Sequence, residues 1–432
     1  MCRFPPHHGL VVRPCQHRVV RVAVVAETFH PVVNGVTNSV TRVLEHLRRA
    51  GHQVLVVAPE PGPATFRGVP VVRVPSFRPP MYRSVHIGRP SVSLTSVLAG
   101  ADLVHLASPA LLGYAGARAA AELGIPAVAV FQTDLASYLS CYHLRPIRSF
   151  VWQHLRRVHG LCALTLAPST ATVWLLRRHG IAPVARWGRG VDVAAFSPAH
   201  RNEALRRVLA PGGEAIVGYV GRLAPEKRVH LLRPVSRLAG VRLVVVGDGP
   251  SRSTVERRLP DATFLGFRRG HELSELYASF DVFVHPGAEE TFCQAVQEAL
   301  ASGVPVIAPA TGGPLDLVRH GENGWLWSGA DPDLLADQVS SLLADPVLRE
   351  TMRLRARASV LGRGWDSIGD ELLAHYAAVL AARPAPAPAS GAAAGPVEGS
   401  ARGRVSGRAP GPVGGAAPVA GSAPGRPHEP AA

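Results

Sequence analysis

The sequence predicts an α/β protein built from two parallel-sheet units in succession, and three observations carry that expectation. Short apolar, β-branched runs recur along the chain, as strands covered on both faces require. Helical stripes separate most of these runs, so strand and helix alternate. The alternation pauses near residue 190 and restarts near residue 215, which gives a second unit of the same kind.

Residues 1–18 read as a loose extension without a long apolar segment, so no secretory signal is expected. VVRVAVVAE (19–27) is the first strand. The loop TFHPVVNG follows. Val36, Val40, Val43, Leu44 and Leu47 then form one helical stripe, closed by Gly51. QVLVVAP (53–59), VVRVP (71–75), DLVHLAS (102–108), PAVAVFQ (126–132) and ALTLAP (163–168) continue the first series. The joint falls in GVDVAAFSPAHRN (190–202). AIVGYVG (215–221), RLVVVGDG (242–249), ATFLGF (262–267), DVFVHPG (281–287) and PVIAPA (305–310) make the second series. Helical stripes return in 346–382, and residues 345–382 are placed to pack back across the junction. The scheme is an extension (1–18), two Rossmann-like domains (19–192 and 193–382) and a tail (383–432). The tail is Pro, Ala, Gly and Ser with almost no large apolar residue, and is expected to be disordered.

Charge is unevenly distributed. Residues 1–200 hold 21 arginines against 7 acids, whereas residues 201–382 carry 20 basic against 22 acidic side chains. A basic first half suits an anionic partner such as an acidic membrane surface, although arginine drift on a solvated surface gives the same pattern. CYHLRPIRSFVWQHLRRVHG (141–160) can form an amphipathic helix with Phe150, Val151 and Leu155 beside Arg145, Arg148, Arg156 and Arg157; an ordinary helix packed on the sheet fits equally well. Nucleic acid is not expected, because aromatic residues are few and the arginines dispersed. No uninterrupted apolar run is long enough to span a bilayer. The five cysteines are scattered without C-x-x-C spacing, which points to a reducing cytosol and to neither a zinc frame nor disulfides.

Lys227 is the only lysine, against 45 arginines. A position that keeps a compact point charge amid such a bias resists the forked guanidinium. It follows the strand AIVGYVG with Gly221 and Arg222 between, and EKRVHLL reads as the start of a helix. Two cations at a strand's carboxyl end, beside a helix N-terminus, make a diphosphate site; a plain charged surface loop is the alternative. In PGAEETFCQAVQEALASGVPV (286–306), a helix is expected from about Thr291, with Glu290 at its start and Glu298 about 12 Å further along its axis. Carboxylates so placed can accept from sugar and ribose hydroxyls, though spacing alone also fits two solvated glutamates.

Taken together, VGRLAPEKRV, GDGP (247–250) and EETFCQAVQEALASGVPVIAP resemble the retaining glycosyltransferases of the GT-B fold, group 4 family, over about residues 19–380. AETFHPVVNGVTNSV (26–40), FQTDLASY (131–138) and RGVD (189–192) are similar to the actinobacterial GDP-mannose-dependent α-mannosyltransferases acting on lipid acceptors. The resemblance implies that Arg222 and Lys227 grip a donor diphosphate, with Gly221 and Gly249 in the turns around it. It implies that Glu298 holds ribose and that Glu290 contacts the transferred hexose, helped by backbone N–H groups at Thr291 and Phe292. Gly35 would let the N-terminal, acceptor-binding domain approach the donor. Many relatives have a histidine at Gln132, which cannot titrate, so Asp134 or the substrate would carry more of the work. A nucleotide-sugar donor, no metal, and a cytoplasmic enzyme peripheral to the inner membrane face are implied. A UDP-sugar transferase acting on a soluble acceptor such as inositol phosphate stays open beside it.

Overall fold

A computed structural model of the chain describes residues 19–32, 34–77, 87–89, 93–134, 148–329 and 331–382. The expected extension, the tail and Arg145 lie outside the described residues.

The first sheet contains β1 (Arg21–Val25), β2 (Gln53–Pro59), β3 (Thr65–Phe66), β4 (Val69–Val74), β7 (Leu103–Leu106), β8 (Ala127–Val130), β9 (Leu164–Ala167) and β10 (Val184–Arg186). A separate two-stranded ribbon pairs β5 (Ser76–Phe77) with β6 (Ile87–Gly88). Strand order in the first sheet is β10-β9-β8-β7-β1-β2-β4-β3, parallel throughout except for the β3–β4 edge hairpin. The second sheet holds β11 (Ala215–Val220), β12 (Val241–Val246), β13 (Thr263–Gly266), β14 (Val282–Val284), β15 (Val306–Pro309) and β16 (Gly324–Trp327), in the all-parallel order β13-β12-β11-β14-β15-β16. These are the two Rossmann-like sheets that the alternation predicts.

Side chains alternate across each strand, so every sheet divides its residues between two cores. In β1, Val22 and Val24 join one apolar cluster and Ala23 and Val25 the other. In β12, Val244 and Val246 face one side and Leu243 and Val245 the opposite one. Helices cover both faces. The helix Gly35–Arg49 turns Val40, Val43, Leu44 and Leu47 onto the first sheet, and Asn34 caps it by accepting from the Val36 and Thr37 N–H groups. Gly51 ends it at φ +81°, a left-handed geometry that favours glycine.

Two crossings join the halves. After β10 the chain passes to the second sheet, and Arg357 fastens this linker by donating to the Val193, Phe196 and Ala301 carbonyls. The helix Pro346–Val360 stays with the second sheet, placing Ala356 and Val360 in its core. The last helix, Trp365–Ala381, lies instead on the first sheet, where Ile368, Leu372 and Tyr376 complete the core. Its Ile368 carbonyl accepts from Trp187 Nε1 at 2.9 Å, and the Tyr376 hydroxyl donates to His105 Nδ1 at 2.7 Å. Burial pushes the His105 pKa down to about 4, so the imidazole is neutral and free to accept. A bridge between Val191 and Gly364 ties the two crossings to each other.

The helix Arg148–Gly160 turns Trp152, Leu155 and Val158 inward. Leu155 is only 1 % exposed, packed with Phe131 and Trp152, so it cannot belong to an outward apolar face as the amphipathic reading placed it. Phe150 does point outward.

Candidate active site

Strand order decides where a site can form. In the second sheet, β11 leads outward to β12 on one side and pairs with β14 on the other. The loops leaving the carboxyl ends of β11 and β14 therefore flank the topological switch point, where an open α/β sheet leaves a crevice. Gly221–Lys227 follows β11, and His285–Glu290 follows β14. In the first sheet the switch point lies between β1 and β7, so the loop that leads into Gly35 has the equivalent position.

The two second-sheet loops meet. Lys227 Nζ donates to Glu290 Oε1 at 2.5 Å, and His285 Nε2 lies 3.0 Å from the same oxygen. Both partners of the ion pair are largely covered, with side chains 16 % and 12 % exposed. Burial alone would raise the Glu290 pKa; Lys227 and His285 outweigh it and hold the carboxyl at about 2. The loops pack tightly, since a Cβ on Gly287 would sit 3.2 Å from the Lys227 Cα. Beside Lys227, Arg228 takes φ +49° and pairs with Glu289.

Glu298 lies on the helix Gln294–Ala301 and accepts from the Tyr277 hydroxyl at 3.1 Å. Burial raises its pKa to about 7. Burial, with the charge of Glu290, pushes the thiol pKa of Cys293, just before that helix, well up; Lys227 and Glu298 act on it more weakly. Arg222 is exposed on the β11 loop, and its carbonyl accepts from the Tyr219 hydroxyl at 3.1 Å. The Tyr219 ring stacks beside His285 with centroids 6.1 Å apart, which links the Arg222 turn to the Glu290 loop.

Glycines let these turns approach. A Cβ on Gly249 would lie 2.3 Å from the Leu223 carbonyl oxygen, and one on Gly221 would lie 2.8 Å from the Tyr219 hydroxyl. Gly35 is the first residue of its helix, and Arg189 Nη1 donates to its carbonyl at 3.3 Å.

Two expectations need correction. EKRVHLL is not a helix opening on Lys227: residues Pro225–Lys227 and Val229–Leu232 are separate 3-10 turns, broken by the left-handed Arg228. Lys227 therefore closes a short 3-10 turn and does not open a helix. The second helix begins at Gln294, not Thr291, because Cys293 adopts φ +74°. Glu290, Thr291 and Phe292 thus lie in a loop before the helix, and the Phe292 ring is buried in the core. Asp134 is buried, and the charge it presents acts on His179, at the end of the helix Thr170–Arg178.

Gln132 sits at the seam between the halves. Its side chain donates to the Ala107 carbonyl at 3.0 Å and accepts from Arg189 Nη2 at 2.6 Å. Its own carbonyl accepts from Thr291 Oγ1 at 2.9 Å. Arg189 in turn offers its carbonyl to Gln297 Nε2 at 3.0 Å. One arginine thus connects the first sheet's loops to the helix that carries Glu298. Sequence reasoning passed over Arg189, His285, Cys293 and Tyr277 as site residues. His285 alone left a signal: a histidine closing the apolar run VFV at a strand's carboxyl end. A cavity of about 730 Å³, bounded by Arg42, Arg48, Arg67, Asp192 and Trp365, contains none of the site residues.

Known proteins resemble the chain over most of its length. Residues 200–359 match the family described as Glycosyl transferases group 1, and residues 33–195 match Glycosyltransferase Family 4. A Mycobacterium tuberculosis protein named GDP-mannose-dependent alpha-mannosyltransferase is 52% identical over 369 residues, covering 83% of this chain and 97% of that protein. The chain belongs to glycosyltransferase family 4. A second relative with the same name, from Mycolicibacterium smegmatis, is 50% identical and covers 84% of this family 4 chain and 99% of its own. Anabaena Alr3699/HepE, solved in complex with UDP, superposes with a TM-score of 0.69 at 22% identity, covering 83% of this chain and all of that one. This likeness shows the GT-B fold. The chain is a glycosyltransferase, and its Lys227–Glu290 pair lies at the switch point of the second sheet.

Proposed function

We propose that the enzyme transfers mannose from GDP-mannose, with retention of configuration, to a lipid-linked or glycolipid acceptor. The observation that carries the donor assignment is the likeness, at about half identity and nearly full length, to proteins named for that donor. The pocket supports it chemically.

In this reading the donor diphosphate and Glu290 compete for Lys227. The diphosphate draws the ammonium onto itself, and Arg222, exposed on the same loop, closes on it from outside. Glu290 is then free to accept a hydroxyl of the mannose, and it does so as an anion because its pKa is held low. Glu298 takes the ribose hydroxyls. As the bond from the anomeric carbon to phosphate breaks, positive charge spreads over the ring and negative charge gathers on GDP. The two cations stabilise that leaving charge where it develops, a role that needs no metal ion. Gln132 cannot exchange a proton; held by Arg189 and Ala107, it presents a fixed amide and its backbone to the seam. The acceptor enters from the first sheet's side, past Gly35.

The acceptor's lipid character is supported by the surface. Phe150 and Trp174, 68 % and 70 % exposed, lie on helices that also expose Arg148, Arg156, Arg157, Arg177 and Arg178. Exposed aromatic and basic side chains of this kind suit reversible docking on an anionic bilayer at the cytoplasmic leaflet. Among the described residues no helix is long and apolar enough to cross a membrane.

The donor is tested by thermal shift with GDP-mannose, UDP-glucose and UDP-N-acetylglucosamine, followed by transfer of labelled mannose to a lipid extract. GDP-mannose should raise the melting temperature most. Stabilisation by a UDP-sugar alone, or transfer to inositol phosphate and not to lipid, would overturn the reading. Flotation with anionic vesicles tests docking, and binding that ignores salt would count against it.

A further inference from the structure

We infer that His285, Glu290 and Cys293 form a binding site for a zinc-class divalent cation, and that this cation competes with the Lys227 ammonium for the Glu290 carboxylate. Three segments supply the donors: the residue after β14, the loop beyond it, and the turn into the helix Gln294–Ala301. One ligand atom from each lies within 4.8 Å of the other two. Zinc binds nitrogen and oxygen at about 2.0–2.2 Å and thiolate sulfur at about 2.3 Å, so donors around it stand roughly 3.5 Å apart. Closing the site draws its side chains together by about an ångström.

The donor set selects the metal. Imidazole, carboxylate and thiolate suit zinc, whereas magnesium and calcium want oxygen alone. A second observation points to a ligand. His285 is 2 % exposed; its Nε2 is matched by Glu290 Oε1 at 3.0 Å, while its Nδ1 has no hydrogen-bond partner among the described residues. A buried imidazole left in that state is costly, and a cation on it removes the cost. Three protein ligands also leave a fourth position for water on the partly open side of Glu290.

Charge explains the competition. Before binding, the Glu290 carboxylate is matched by Lys227 at 2.5 Å. The cation brings two positive charges, and the Cys293 thiol gives up its proton to the solvent as sulfur ligates. Carboxylate and thiolate then neutralise the metal, so the ammonium is in excess and must swing away on its flexible stem. A neutral residue at 227 removes that obstacle.

The test uses the full-length, metal-stripped protein titrated with Co2+, reading the thiolate-to-cobalt charge-transfer band in the near ultraviolet. The band should appear and saturate at one equivalent, and Zn2+ should abolish it by displacement. It should be lost in Cys293→Ser and in Cys293→Ala, two variants that guard against one failing to fold, while the other four cysteines remain. Lys227→Met should tighten Co2+ binding by tenfold or more. No band in the wild type, or a band unchanged in both Cys293 variants, would overturn the site. A Lys227→Met protein that binds no tighter would overturn the competition.

Discussion

Replacing Lys227 with alanine probes the pair on which the donor site is built. Burial opposes ionisation of Glu290, yet its pKa stands at about 2, against an ordinary 4.5, because Lys227 and His285 favour the anion. At about 1.4 kcal/mol per pKa unit, this displacement corresponds to roughly 3 kcal/mol in favour of the charged form. Lys227 is the largest favourable influence, so the two side chains should be coupled, by about 0.5–3 kcal/mol as for neighbours in one network. Lys227→Ala leaves a covered carboxylate unpaired and should destabilise by about 3 kcal/mol. Glu290→Gln should cost less, and the double variant should recover that coupling relative to the sum of the singles. Urea unfolding of the four proteins, followed by tryptophan fluorescence, measures the cycle. Single effects that add to within about 0.5 kcal/mol would refute the pairing. Mannosyl transfer by Lys227→Ala should fall by about a hundredfold or more while circular dichroism is retained.

Three further outcomes are expected. Burial raises the Glu298 pKa to about 7, above its unfolded value near 4.5, so its contribution is fully present below about pH 4.5 and is lost as pH rises to about 7. Melting of wild type against Glu298→Gln across that window should show the variant losing less stability, and parallel curves would reject the assignment. Arg189→Met should release Gln132 and Gly35 from the second domain's helix, widening the molecule in small-angle scattering and lowering turnover about tenfold. Identical scattering and turnover would mean that the bridge is idle. Gly249→Ala forces a methyl to 2.3 Å from the Leu223 carbonyl, so it should weaken GDP binding in calorimetry and cost about 1–3 kcal/mol in stability.

Most of the scaffold was legible because strands buried on both faces write themselves as apolar runs. QVLVVAP coincides with β2 from end to end. What stayed hidden was either short or non-local. β3, β5 and β6 have two residues each, too few to show a period. β16 opens on glycine and carries two tryptophans, a composition that reads equally as a loop. EKRVHLL has helical spacing, but the left-handed turn at Arg228 breaks it, and no spacing pattern registers a backbone angle. The same holds at Cys293, which delays the helix start by three residues from Thr291. In the site, Lys227 and the two glutamates carry charge in distinctive company, so their residue types were informative. The Thr291–Gln132 contact joins residues 159 apart across two domains, and it depends on how the sheets face each other, which strand propensity does not encode.

The closing helix has a consequence for biosynthesis. The first sheet leaves the ribosome lacking Ile368, Leu372 and Tyr376, which fill its core from the far end of the chain. Domains ordinarily mature in the order in which they are made. Here the earliest to emerge is the last to be finished, and its exposed apolar floor needs shelter until Tyr376 has been made. A stop codon placed just before Trp365 would spare every strand of both sheets and still yield a nascent chain that chaperones retain.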